Sequence, residues 1–422
     1  MTNQYLIRIN MCGSLPVIIQ RNNPNLSAHC IEVDLYTTML RSDSRCCRIP
    51  RLPLRSSIEL GTNIIKILIA LIAMCNIRDA FQIIPLTDDI TKTALAYIDD
   101  AVKSRQPFFL YVAYTAPHTP LQAPRREIEK MLPFYNGKSP HAIASKRLEK
   151  QKLLGIVPPA AKLGMAGKFN PEGYEKTSAK RKDYIAECMA TYAAQIVIMD
   201  RGIGRILASL ERHRLSDNTI VMFLSDNGAT AEMPQNNKNK KTTLPTGPLG
   251  EVGCKDGYGP MWAAVSNTPY RQYKIETFDG GLSAPFIIRY PSKIRPESRY
   301  HSPFLLQDIA PTCLAWAALP IPAHMDSKPL NTYWNNPPKL PPSKVWDFIP
   351  NTCPPRTIFW EHQRNRAALT SQFKLVAPNR GPWQVYDIRD RTEQKNLASR
   401  HQTLVEQLSA QYRKWAAENH AE

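Results

Sequence analysis

The sequence predicts an α/β protein, with a mixed, mostly parallel sheet between helices and a smaller α+β unit after it. Three observations carry this. Residues 219–224 (TIVMFL) form a short branched and aromatic run that stops at Ser225-Asp226-Asn227-Gly228, the pattern of a strand buried on both faces. Residues 108–113 (FFLYVA) form a second such run, ending in Thr115-Ala116-Pro117-His118-Thr119-Pro120. Between them, residues 186–212 carry apolar side chains at helical spacing: Met189, Ala193, Ile196, Met199, Ile203, Ile206 and Leu210. Strand, helix, strand in that order is a βαβ unit, which puts both strand exits at one end of a sheet.

Residues 1–83 read differently from the rest and have no assigned fold. They hold polar clusters, the pair Cys46-Cys47 and a Pro/Arg stretch. Their one strong apolar run, residues 67–75, is far shorter than the roughly 20 residues a membrane span needs. It also starts too late for a secretory signal. From Pro85 the pattern becomes regular. Thr87-Asp88-Asp89 is placed to cap a helix with Ile90, Ala94, Ile98 and Val102 on one face, and Gln106-Pro107 ends it. Residues 230–270 are polar and rich in Gly and Pro, with Lys238, Lys240 and Lys241, and are expected to be a loop over the site. A third strand is predicted at 284–290, closed by Pro291. A Pro-rich linker covers about 320–355, followed by strands near 357–360, 373–376 and 383–386 and an amphipathic helix at 404–417. The expected division is 1–83, a core over 84–325 and a C-terminal subdomain over 326–422.

The chain of 422 residues carries a formal charge of +18, which favours anionic ligands. Residues 125–184 hold 14 Lys and Arg against 6 Asp and Glu, but without aromatic interleaving or a nucleic-acid motif they read as a solvated basic face. The nine cysteines show no zinc spacing, and their odd number forbids complete internal pairing, so they leave the compartment open.

At the end of the 219–224 strand, Asp226 and Asn227 offer two hard oxygen donors, which suit Ca²⁺ or Mg²⁺. Strand exits are where open α/β sheets bind ligands. The same four residues, SDNG, would also serve as a plain turn.

Five segments resemble the type I, formylglycine-dependent sulfatases in order and spacing: PFFLYVAYTAPHTPLQAP (107–124), YAAQIVIMDRGIGRILASLE (192–211), TIVMFLSDNGA (219–229), NTPYRQYKIETFDGGLSAPFIIRYP (267–291) and HSPFLLQDIAPTCL (301–314). The tail segments FWEHQRNRAAL and GPWQVYDIRDRTEQKNLA extend the likeness. The resemblance implies an alkaline-phosphatase-like core, a calcium (sometimes magnesium) ion, and hydrolysis of sulfate esters on small molecules or polysaccharides. It matches Asp226 and Asn227 to the metal ligands. It matches His118 to the histidine that contacts the sulfate or the ester oxygen, and Lys274, six residues before Gly280-Gly281, to the sulfate-binding lysine.

The family also uses a cysteine or serine in C/S-x-P-x-R, oxidised to formylglycine, together with an early Asp-Asp pair and a GKWHLG-like segment. None of these appears in the 422 residues. The nearest echo, Arg51-Leu52-Pro53-Leu54-Arg55, has arginine where the nucleophile belongs, and Asp88-Asp89 and Asp99-Asp100 fall on a predicted helix. The expectation is a sulfatase-family chain whose N-terminal catalytic part is missing or replaced. The alternatives are a non-catalytic anion-binding protein, or a phosphatase or phosphodiesterase of the same fold.

Overall fold

The computed structural model describes residues 7–12, 17–21, 65–71, 83–164, 171–232, 248–251, 253–254, 256–296, 298–300, 303–325, 327, 329–331 and 356–421. A seven-stranded sheet forms its centre, built from β1 (Ile7–Cys12), β2 (Val17–Arg21), β3 (Ile65–Leu71), β4 (Phe109–Ala113), β5 (Ile220–Leu224), β6 (Ser283–Arg289) and β7 (Arg299–Tyr300). The order is β2-β3-β5-β6-β1-β7, with β4 also paired to β3.

All three strands read from the sequence core are in this sheet, and β3 runs parallel to both β4 and β5. One expectation is corrected: the sheet is not mostly parallel. β6 runs antiparallel to β5 and to β1, and β2 antiparallel to β3, so half of the described pairings are antiparallel. β3, from the segment left without an assigned fold, pairs with β5 from Ile67 to Ile69. The Arg51–Arg55 echo and the Lys238–Lys241 run lie outside the described residues.

Both faces of β5 are covered, which is why its run is apolar throughout. Ile220, Met222 and Leu224 pack with Phe286, Ile288, Phe304 and Ile309 on one face. Val221 points to the other, where Leu110, Val112, Ala94, Ile98, Met199, Ile206 and Leu210 form a second cluster under two long helices. Helix Ile83–Lys103 starts one turn earlier than the Thr87 cap suggested, with Pro85 tolerated in its first turn. Helix Ala179–Arg212 starts seven residues before the predicted 186, at an N-cap where Ser178 accepts from the Arg181 N–H. Ile196, expected in its core stripe, is exposed.

The loop expected over 230–270 contains a buried helix, Gly259–Ser266, whose Trp262 is 1% exposed. The apolar run MWAAV explains it, with Pro260 in the first turn. Toward the C-terminus, β8 (Ile358–His362), β9 (Asn365–Leu369), β10 (Phe373–Ala377) and β11 (Gln384–Asp387) form an antiparallel sheet in the order β11-β10-β9-β8. Helix Gln402–Glu418 lies on it through Leu408 and Tyr412. Arg356 pairs with Asp308, which is fully buried beside helix Ile309–Trp316, and so ties the chain leading into this sheet to the core. Cys188, Cys254 and Cys313 are free and buried; burial pushes the Cys188 thiol up to about 12 and the other two upward as well.

Candidate active site

The exits of β4 and β5 bring the candidate residues to one edge of the sheet. After β4 the chain turns, with the His118 N–H donating to the Thr115 carbonyl at 3.0 Å. His118 Nδ1 lies 2.8 Å from the Thr119 carbonyl, which can only accept, so Nδ1 carries a proton, and Nε2 is the nitrogen turned toward Lys274. Lys274 Nζ lies 3.2 Å from that Nε2, across 156 residues of sequence. The Lys274 backbone is fixed by donation to the Ala229 carbonyl at 3.0 Å.

Asp226 and Asn227 sit in the first turn after β5, where Ser225 Oγ donates to the Asn227 carbonyl at 3.0 Å. Gly228 follows because nothing else fits: a Cβ there would stand 1.8 Å from the Gly280 carbonyl oxygen. The Gly228 N–H donates to the Gly281 carbonyl at 3.0 Å, and the Ala229 N–H to Asn267 Oδ1 at 3.1 Å. His118, Asp226 and Asn227 line one cavity of about 250 Å³, with Tyr258, Ser266 and Asn267 on its wall and exposed Ile196 at its side. All four residues singled out in the sequence therefore meet at one edge.

The electrostatics are opposed within the site. Burial pushes the Asp226 carboxyl above its usual range, while nearby backbone N–H groups and the charges of Lys274 and His118 pull it back. Burial pushes the Lys274 ammonium below its usual value, against the charges of Asp226 and Glu232. Glu232 is a member that sequence reasoning missed. It accepts from the Thr119 hydroxyl, and its Oε1 stands 3.9 Å from His118 Nε2. Asn267 is another: its side chain bridges the Ala229 N–H to the carbonyls of Gln272 and Gly280. Only the NTPYR text pointed to it, since a lone Asn carries no chemical signature.

For the ion that the resemblance implies, the donors present fit in kind. Asp226 and the Asn227 amide are hard oxygens, and a partly buried carboxylate with a raised pKa is stabilised by a nearby cation. They fit as part of a shell, because no cluster of three or more His, Cys, Asp or Glu residues able to hold a metal exists among the described residues. Asp88, Asp89, Asp99 and Asp100 contribute nothing here; they lie on helix Ile83–Lys103 in ion pairs with Arg205, Lys92, His213 and Lys103.

The model of the sulfatase family matches residues 68–319. The chain belongs to the sulfatase family. Its match begins fifteen residues before 83, the limit of the likeness read from the sequence. An uncharacterized sulfatase of Schizosaccharomyces pombe is 32% identical over 333 residues, covering 73% of this chain and 58% of the relative. An arylsulfatase of Klebsiella aerogenes is 31% identical over 238 residues, covering 54% of this chain and 50% of that one. Among solved structures, Ps i-CgsB superimposes with a TM-score of 0.50 at 22% identity, covering 78% of this chain and 55% of that chain, a likeness of fold. The sulfatase chain thus spans between half and three fifths of the length of these two relatives. No helix among the described residues is long and apolar enough to cross a membrane.

Proposed function

We propose that this edge is the anion- and metal-binding part of a sulfate-ester hydrolase, and that the 422-residue chain does not turn over alone. The observation that carries the reading is the Lys274–His118 contact at 3.2 Å beside Asp226. An ammonium and an imidazole at that spacing suit a group with several negative oxygens. Lys274 would bind a sulfate oxygen as a cation. The His118 ring, held by the Thr119 carbonyl, would present Nε2 to the bridging ester oxygen and carry a proton to the leaving alcohol. Asp226 and Asn227 would hold Ca²⁺, or Mg²⁺ in its place. The bound ion would supply Lewis-acid polarisation of the sulfate.

The sequence contains no C/S-x-P-x-R segment to become the formylglycine nucleophile. Loss of a covalent nucleophile commonly costs several orders of magnitude in rate, which positioning alone does not restore. The test is purified chain with Ca²⁺ and p-nitrophenyl sulfate, for which no measurable turnover is expected. Turnover that needs Ca²⁺ and disappears in Asp226→Ala would overturn the inactive reading and demand a nucleophile elsewhere in the chain. Preferential cleavage of a phosphate mono- or diester would move the assignment to a phosphatase of the same fold. A sulfated substrate, small or polymeric, remains the partner that this ammonium and imidazole fit.

A further inference from the structure

Four charged side chains outside the site meet in the interior between the two sheets. Lys374 of β10 is 3% exposed, and its Nζ lies 2.7 Å from both Asp279 Oδ1 and Glu393 Oε1. Arg391, in the loop after β11, donates from Nε to Asp279 Oδ2 and from Nη2 to Ser283 Oγ, each at 2.7 Å. The Asp279 backbone N–H donates to Glu393 Oε2 at 2.9 Å. The two positive and two negative charges balance. Removing charges from water is expensive, and well-packed apolar side chains would join two sheets at least as well. The network therefore invites a role beyond adhesion, and its role follows from what it grips.

Asp279 opens the short turn Asp279–Leu282. The carbonyls of that turn face the metal-ligand loop. Gly281 accepts from the Gly228 N–H at 3.0 Å, and Gly280 accepts from Asn267 Nδ2 at 2.8 Å, while Asn267 Oδ1 accepts from the Ala229 N–H at 3.1 Å. The two amides that follow Asn227 are thus both held by one turn, directly and through Asn267. The turn itself is held by three side chains of the C-terminal subdomain. The contact at Gly228 is too close to admit a Cβ, so a displaced turn displaces the loop.

We propose that Lys374, Arg391 and Glu393 are positioning residues, through which the small C-terminal sheet sets the place of Asp226 and Asn227. The functional meaning rests on the metal reading above, whereas the mechanical link does not. The experiment measures hydrogen exchange and Tb³⁺ luminescence titration on the full chain, in Lys374→Met, Lys374→Arg and Ser283→Ala. The expected result is exchange about tenfold faster over residues 225–230 in Lys374→Met, with residues 109–113 unchanged. Tb³⁺ affinity should fall about tenfold alongside. Lys374→Arg, which keeps the charge and two or more donors, should restore much of both. Ser283→Ala leaves no buried charge unpaired and should give a smaller change of the same sign. Unchanged exchange over 225–230 in folded Lys374→Met and Ser283→Ala overturns the proposal. If Lys374→Met fails to fold, Ser283→Ala decides alone. Absence of Tb³⁺ binding by the unaltered chain counts against the metal reading, and the exchange measurement still decides the mechanical link.

Discussion

Asp226 is under two opposed demands. In the proposed role it must be ionised to hold a metal, yet burial raises its pKa, with the charges of Lys274 and His118 only partly offsetting this. A carboxyl whose pKa is raised in the folded state stabilises the fold below the ordinary carboxylate range and loses that contribution as pH rises through the raised value. At neutral pH without metal, ionised Asp226 therefore works against folding. Asp226→Asn is expected to raise Tm by about 1–3 °C in chelator, and to abolish any Tm increase that the proposed Ca²⁺ site would give the unaltered chain. Differential scanning calorimetry at pH 7 reads both, and a drop in Tm in chelator would contradict the account. Asp226 and Asn227 were singled out at a strand exit, and His118 and Lys274 through the resemblance, and the fold brings the four to one edge. Glu232 was not singled out, because its place depends on a contact with Thr119, 113 residues earlier, which no local pattern encodes.

At the scale of elements, the turn Asp279–Leu282 and the loop after β5 behave as one piece. Gly228→Ala forces a Cβ against the Gly280 carbonyl and should cost about 2 kcal/mol in urea unfolding, with loss of Ca²⁺ binding. A variant as stable as the parent would show that the loop has room. The charges behind the turn add a pH dependence. Burial first, and then the neighbouring Asp279, raise Glu393 from 4.5 to about 7, although Lys374 opposes them. By the same sign rule its contribution is complete below about 4.5 and fades as pH rises through about 7. Asp279 is shifted the other way, held down to about 2 by Arg391 and Lys374 against its burial, so its contribution persists throughout that window. The unaltered chain should therefore have a lower urea midpoint at pH 8.5 than at pH 5.5, and Glu393→Gln should lose most of that difference. Among the elements, long periodic helices and wholly apolar strands were readable in the sequence. β9 was not: its text, NRAAL, has little strand character, and the turn before it places Gln363 and Arg364 at φ 47° and 71° without the Asn-Gly that advertises such hairpins. The antiparallel share of the central sheet was also hidden, because a strand buried on both faces looks the same whichever way its neighbour runs.

Across the whole molecule, Arg356 and Asp308 join the chain leading into the C-terminal sheet to the helix Ile309–Trp316 region of the core. Asp308→Ala would leave the Arg356 guanidinium without its carboxylate partner and is expected to cost about 3 kcal/mol of unfolding free energy. A loss below about 1 kcal/mol in a urea titration would mean that water replaces the carboxylate readily. Three buried thiols among the described residues bear on the same question of how the molecule opens. Cys188 belongs to helix Ala179–Arg212, Cys254 leads toward the helix carrying Trp262, and Cys313 lies in helix Ile309–Trp316. Only a thiolate reacts quickly with a maleimide, and burial keeps all three protonated and covered. Each modification therefore waits for its own neighbourhood to open. The rates at which these three masses appear would serve as separate clocks for the site-side helix, the loop beside it and the far face of the sheet.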